Sequence, residues 1–292
     1  MRWWTSSRRR PSSRRSSSTC TARTATEAEL LTRELRDHRR SLAGWCAGVA
    51  VYVLAIAAIF PSIKGSPSIT NLLDQYPEAV KSLFGLAGGV DIGSGAGFVD
   101  AELFSFILPL FVIALAIGSG ARTLAGEEDA GRLELVFAYP VTRRAAVLEK
   151  GSAVGLEVLG FCVVAFASLG IASPIFDLGL SFERLTGAIV GLGLLALLHG
   201  WLALTVGAVW PSRAAAIGIP AALAAAGYLI GGLHSLASWL DPLRFVSSFW
   251  WIGQSPLSNG VDWWRFLVVA AVAAVALLAA SWLIGRRDLE TP

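Results

Sequence analysis

Residues 121–150 read ARTLAGEEDAGRLELVFAYPVTRRAAVLEK. The stretch is charged and lies between two apolar runs, Leu103–Ser119 and Ala146–Ile171. Each run approaches or exceeds the ~20 helical residues that cross a bilayer. A polar backbone can cross lipid only as a helix or a closed barrel. The segment is therefore read as a loop at a membrane surface between two spanning helices.

Four more runs of the same kind lie outward from it: Leu42–Phe60, Gly187–Trp210, Ala214–Leu233 and Phe266–Ile284. The expected fold is all-α integral membrane, with six transmembrane helices. Composition agrees. Mean hydropathy is +0.61, 54% of residues are hydrophobic and 15% are charged, against about 25% charged in soluble domains. Pro211-Ser212-Arg213 separates the fourth and fifth runs as a tight turn.

The placement of Lys and Arg sets the orientation. Residues 1–40 hold eleven of the 24 basic residues. Arg122, Arg132, Arg143, Arg144, Lys150, Arg213, Arg286 and Arg287 fall on the same side, and Lys64, Lys81, Arg184, Arg244 and Arg265 on the other. Both termini and the 121–150 loop are thus expected in the cytoplasm, with the chain in the inner (plasma) membrane.

Residues 1–25 are rich in Arg and Ser and lack an apolar core, so they read as a disordered basic tail; contact with anionic lipid heads is the alternative. Over residues 26–41, Leu30, Leu31 and Leu35 share one face and charges fill the rest, the pattern of an amphipathic interfacial helix. Cys20, Cys46 and Cys162 show no metal or disulfide spacing.

On the outer side, NLLDQYPEAVKSLFGLAG (residues 71–88) has helical periodicity, and GGVDIGSGAG (88–97) reads as a flexible connector. The latter lacks the Lys-Ser/Thr and the preceding strand that a phosphate loop needs. Trp239, Trp250, Trp251, Trp263 and Trp264 crowd the segment before the last span. They suit an interfacial anchor or an aromatic lining near an exit. Pro242 and Pro256 break any single helix there, so a partly re-entrant hairpin is expected.

Ionisable groups within spans are functional candidates. Glu157 and His199 are the two intramembrane polar residues singled out, while Asp100 and Glu102 open span two. Glu157 follows Lys150 by seven residues, about 10 Å along a helix, so the two do not pair directly. Glu157 is expected to be hydrated or paired with another span. For His199 the favoured reading is a hydrogen bond to a neighbouring helix; the other is a proton relay. The sequence contains no HExxH, GxSxG, paired Cys/His set or GxxxxGK[ST], so no catalytic, cofactor-binding or metal site is assigned and the chain is not read as an enzyme.

Within the loop, Glu127, Glu128 and Asp129 suit a helix N-terminus, and Leu133, Val136 and Phe137 make one apolar face. Pro140 ends that helix, and Thr142 can cap the next. Helix, turn, helix presents an acidic patch, an apolar stripe and two arginines. A solvated loop does not need the stripe; a docking surface does.

The pattern Gly126-Glu127-Glu128, Gly131, Leu133-Glu134, Pro140-Val141, Arg143 and Lys150 resembles the segment between helices two and three of ABC-2 type transporter permeases. Similar too are the lead-in Ser41–Trp45, the entry Gly97–Phe104 and the tail Arg286–Leu289. Tyr139 departs from the small residue more common before that proline. The resemblance covers about residues 27–289 and implies an ABC-2 type domain over 42–289. It implies a cytoplasmic coupling helix, with Gly126, Glu127, Glu128, Gly131, Leu133, Glu134, Pro140, Arg143 and Lys150 as ATPase-coupling residues. It also implies two copies of an ABC ATPase carrying ATP and Mg on separate chains, and a second copy of this chain or a related permease. The function it implies is export of a hydrophobic or amphipathic cargo, closest to antibiotic or polyketide exporters. An ion-coupled secondary carrier using Glu157 and His199, or a membrane scaffold, are the alternatives. Nucleic acid is not an expected partner.

Overall fold

A computed structural model describes residues 40–65, 75–86, 90–129, 142–210, 212–253 and 255–286. Six helices in it are long and apolar enough to cross a membrane: Arg40–Ile63, Gly95–Thr123, Arg143–Ile175, Phe182–Val209, Arg213–Leu233 and Trp263–Arg286. They are spans 1 to 6 below. The tail over 1–25, most of the expected interfacial helix over 26–41, and Arg287–Leu289 lie outside the described residues.

Spans 3, 4 and 5 start where sequence chemistry can cap them. Thr142, Ser181 and Ser212 each take the N-cap, their side-chain oxygens accepting from Ala145, Arg184 and Ala215 N–H. Such caps satisfy donors that the first helical turn leaves open.

Span 2 extends eight residues farther outward than its apolar run, because Ser94 caps it through Gly97 N–H at 3.1 Å. The glycine-rich connector expected at 88–97 is therefore helical from Gly95. A Cβ on Gly95 would sit 2.0 Å from the Leu178 carbonyl oxygen. Close backbone approach, not flexibility, explains the glycine. From Asp100 to Phe104 the span winds as a π-helix, a form that appears mostly as short bulges. The bulge resets the face on which Asp100 lies.

Spans 2 and 4 form the centre. Of an 18-residue apolar window, 67% is buried in span 2 and 56% in span 4, against 22% in span 1 and 28% in span 5. The central helices cross at Gly120 and Gly200, where a Cβ on Gly120 would come 2.2 Å from the Gly200 carbonyl oxygen. Small residues at a crossing let dispersion contacts replace the hydrophobic drive that lipid does not supply. Outward faces keep large apolar side chains exposed, among them Leu159, Val163, Leu267 and Val275, as a surface facing lipid requires.

Between spans 5 and 6 the chain makes a 3₁₀ turn (Asp241–Val246) and two short helices, Ser248–Ile252 and Pro256–Asn259. Gly253 reverses the chain at φ +85. Phe249 is buried beside Tyr228 of span 5 and His199 of span 4, with ring centroids 5.5 and 6.4 Å away. The segment thus turns back among the spans, as the two prolines foreshadow. Its tryptophans form a ladder with arginines: Arg265 stacks over Trp250 and Trp264, and Arg244 over Trp250.

Candidate functional site

Two charged sites lie at opposite ends of the bundle. The first is at the root of the 121–150 loop. Span 2 ends at Thr123, whose hydroxyl donates to Gly120 O at 2.8 Å. After a break at Leu124 a short helix, Ala125–Asp129, follows. It carries Glu127 back against the start of span 3. There Lys150 Nζ donates to Glu127 Oε2 at 2.7 Å. Lys150 is buried and the Glu127 side chain is half-buried. Trp201 Nε1–H, from span 4, donates to Gly151 O at 3.0 Å beside this pair. Thr205 Oγ1 lies 2.8 Å from Ala276 O, joining span 4 to span 6. Span 3 is thereby bonded to span 4 beside Lys150, and span 4 to span 6.

Of the residues proposed for coupling, Glu127 and Lys150 are therefore brought together as an ion pair. Gly126 is adjacent, within van der Waals reach of Arg213 at the start of span 5. Glu128 belongs to the same short helix. Arg143 opens span 3. Gly131, Leu133, Glu134 and Pro140, with the apolar stripe and its proline break, lie outside the described residues.

Glu157 is buried, with 2% of its surface exposed. His199 is equally buried, but its Nδ1–H donates to Leu195 O at 2.8 Å, one turn earlier on its own helix. The neighbouring-helix hydrogen bond expected from the sequence is not the one formed. Helical geometry places the i−4 carbonyl within reach of the ring, and that acceptor wins.

The second site is at the other end of the bundle. Asp100 is fully buried. Its Oδ1 accepts from Leu257 N–H at 3.0 Å and its Oδ2 from Ser258 N–H at 2.7 Å. Those amides belong to the first turn of the helix Pro256–Asn259 and have no partner within that helix. Arg184 Nη1, at the head of span 4, lies 2.9 Å from the carbonyl oxygens of both Leu257 and Ser258. Spans 2 and 4 thus grip the same two residues, one through the amides and one through the carbonyls. Further bonds gather the neighbouring segment Glu78–Leu83 and its turn: Tyr228 OH donates to Leu83 O at 2.7 Å and Ser255 Oγ to Gly85 O at 2.6 Å. Ser105 Oγ lies 2.8 Å from Asp100 O, inside the π-helix, and 2.7 Å from Phe84 O.

Sequence reading places Asp100 at a span entrance but misses Arg184, Leu257 and Ser258. No local signal marks them, because the bonds run to backbone groups 157 residues away from Asp100 and 73 from Arg184. Each site combines a carboxylate and a cation. Among the described residues no group of three or more His, Cys, Asp or Glu could hold a metal ion. What both sites can do is hold two elements together and let them go.

No curated protein matches the chain. A family model described as the C-terminal domain of the multidrug efflux system permease Rv1217c matches residues 31–284. That range takes in all six spans, both charged sites and the loop between spans 2 and 3. The chain is a multi-pass membrane protein and belongs to the family of that multidrug efflux permease.

Proposed function

We propose that this chain is the ABC-2 type transmembrane subunit of an ATP-driven exporter, coupled through residues 121–150 to an ATPase on a separate chain. The observation that carries this reading is the part-buried Glu127–Lys150 pair. It ties the segment leaving span 2 to the first turns of span 3, so a push on the loop moves two spans together. In this reading two ATPase chains bind ATP and Mg, and two permease copies, identical or related, enclose the cargo path. Both termini and the loop face the cytoplasm across the inner membrane.

The nine coupling residues divide by task. Glu127 and Lys150 form the root of the lever. Glu128, Gly131, Leu133, Glu134, Pro140 and Arg143 belong to the part that meets the ATPase, and Gly126 allows the turn beside Arg213. Coupling of this kind needs contacts that differ between two states of the assembly. The cargo is hydrophobic or amphipathic. The spans are lined mostly by Ala, Gly, Leu and Val, and the polar groups His199 and Thr205 are engaged with backbone carbonyls.

The test is co-purification with an ABC ATPase chain co-expressed with this one, followed by ATP turnover of the complex. The Glu128→Ala, Arg143→Ala double variant is expected to assemble poorly or to lose cargo-stimulated turnover. Wild-type assembly with unchanged turnover in the variant rejects the assignment. Transport in vesicles that persists without ATP and collapses with the proton gradient selects the ion-coupled carrier instead.

A further inference from the structure

We propose that Asp100 and Arg184 form a clamp on Leu257 and Ser258 that closes the bundle on the face opposite the 121–150 loop, and that its release is the opening step of the transport cycle. The proposal rests on the transport reading above.

Three observations carry it. First, the clamp grips a short segment with a turn at each end. Pro256–Asn259 is one turn long and is bounded by Gly253 at φ +85 and Gly260 at φ +79. Glycines at positive φ are turns that reverse without strain, so both ends of the segment are pivots. Second, the grip is made by the two central helices. Asp100 stands at the entry to span 2 and Arg184 at the entry to span 4. Any separation of these helices at this end must break one arm. Third, the closure is layered. Leu257 is buried beneath the clamp, and the Glu78–Leu83 segment is tied over it through Ser255, Ser105 and Tyr228. While these bonds hold, the segment after span 5 stays packed against the heads of spans 2 and 4.

The chemistry suits a reversible closure. A carboxylate accepting two backbone amides, and a guanidinium donating to two carbonyls, are charge-assisted and strong. Both leave hydrated partners when water enters, because each charge and each backbone group can bond water instead. A hydrophobic plug of the same size would resist wetting. Asp100 and Arg184 are positioning residues: they are not required to touch cargo.

The test uses Ser258→Cys as a reporter, in a background with Cys20, Cys46 and Cys162 replaced by Ser. The Ser258 hydroxyl is buried, so the thiol starts shielded. The purified full chain in nanodiscs, which expose both faces, is reacted with a maleimide. Labelling then tracks the open population. Asp100→Ala is expected to speed labelling by at least about tenfold, the change that ~1.4 kcal/mol makes. Asp100→Asn, which keeps one acceptor, falls between Ala and wild type. Arg184→Met, which removes the donor to both carbonyls, also accelerates it and carries the test if the Asp100 variants do not reach the membrane; Arg184→Lys, whose ammonium can still donate to both, falls between. A Val246→Cys reporter, already exposed, stays constant throughout. Unchanged Ser258→Cys labelling in Asp100→Ala or Arg184→Met overturns the clamp.

The second arm separates a gate from a static staple. In whole cells pumping a dye, Ser258→Cys labelling is expected to rise several-fold over energy-depleted cells. Efflux with no such rise overturns the gating role. Cells that show no efflux at all reject the transport reading, while the nanodisc series still reads the clamp.

Discussion

The two ends of the bundle hold themselves together with the same ingredients used differently. At the loop end, Glu127 and Lys150 bond each other, side chain to side chain. At the far end, Asp100 and Arg184 each bond the backbone of residues 257 and 258. A side-chain pair fixes two points and allows the helices that bear them to turn about it. A grip on amides and carbonyls fixes the direction of a chain segment as well as its position. The loop end is therefore built as a joint, the far end as a closure.

The largest expected effect breaks the joint. Lys150→Met takes the buried ammonium from the part-buried Glu127 carboxylate, and the loss is expected at the low end of that for a buried pair, about 3 kcal/mol. Adding Glu127→Gln is expected to restore most of that stability, measured by thermal unfolding in detergent. Equal losses in the single and double variants would mean that the two charges do not act as a pair. Next is the closure. Asp100→Ala strands two buried amides, each worth about 1–3 kcal/mol. Hydrogen exchange at Leu257 and Ser258 should accelerate while amides around Lys150 keep their wild-type rates. Acceleration at both ends would erase the distinction between joint and closure.

A smaller effect sharpens the joint. Thr142 Oγ1 accepts from Ala145 N–H at 3.3 Å where span 3 begins. Thr142→Ala should cost about 1 kcal/mol and Thr142→Ser little, with faster exchange at Ala145 as the readout.

The smallest concerns an exposed pair at the far end, where Lys64 Nζ donates to Asp177 Oδ2. The hydrogen bond and charge of Lys64 hold the Asp177 carboxyl below the usual carboxylate range. Its contribution is present above the unfolded carboxylate pKa of about 3.9 and is lost as pH falls through the lowered folded value. Asp177→Asn keeps the left-handed backbone at φ 54, which Asn tolerates. The variant should unfold at nearly the wild-type temperature and show a flatter acid limb. An unchanged acid limb would remove the pair from the comparison.

The legible part of the sequence was whatever repeats over many residues or acts within one turn. Six spans follow from apolar length, since lipid leaves a helix no other solution. The caps at Thr142, Ser181 and Ser212 are local. Pro242 and Pro256 foretold a broken segment. Less legible was how far the helices run: span 2 reaches Gly95 because Ser94 caps it and Gly95 meets the Leu178 backbone. His199 shows the same limit, since a carbonyl on its own helix competes with any neighbour and its proximity decides.

The family pattern marked Glu127 and Lys150 as residues of one loop. Only folding brought them into contact, across 23 residues, because the short helix after Leu124 packs against spans 4 and 5 and sets Glu127 within side-chain reach of Lys150. Asp100 could be seen at the head of a span, but its role could not. Its partners are main-chain groups, which every residue carries and no sequence distinguishes. The sequence by itself determined the solvent, the number of crossings and the place of the loop, because hydropathy acts on segments as a whole. The tertiary structure alone decided which charges meet and which backbone they grip, because hydrogen bonds depend on distances of about 3 Å that no spacing along the chain encodes.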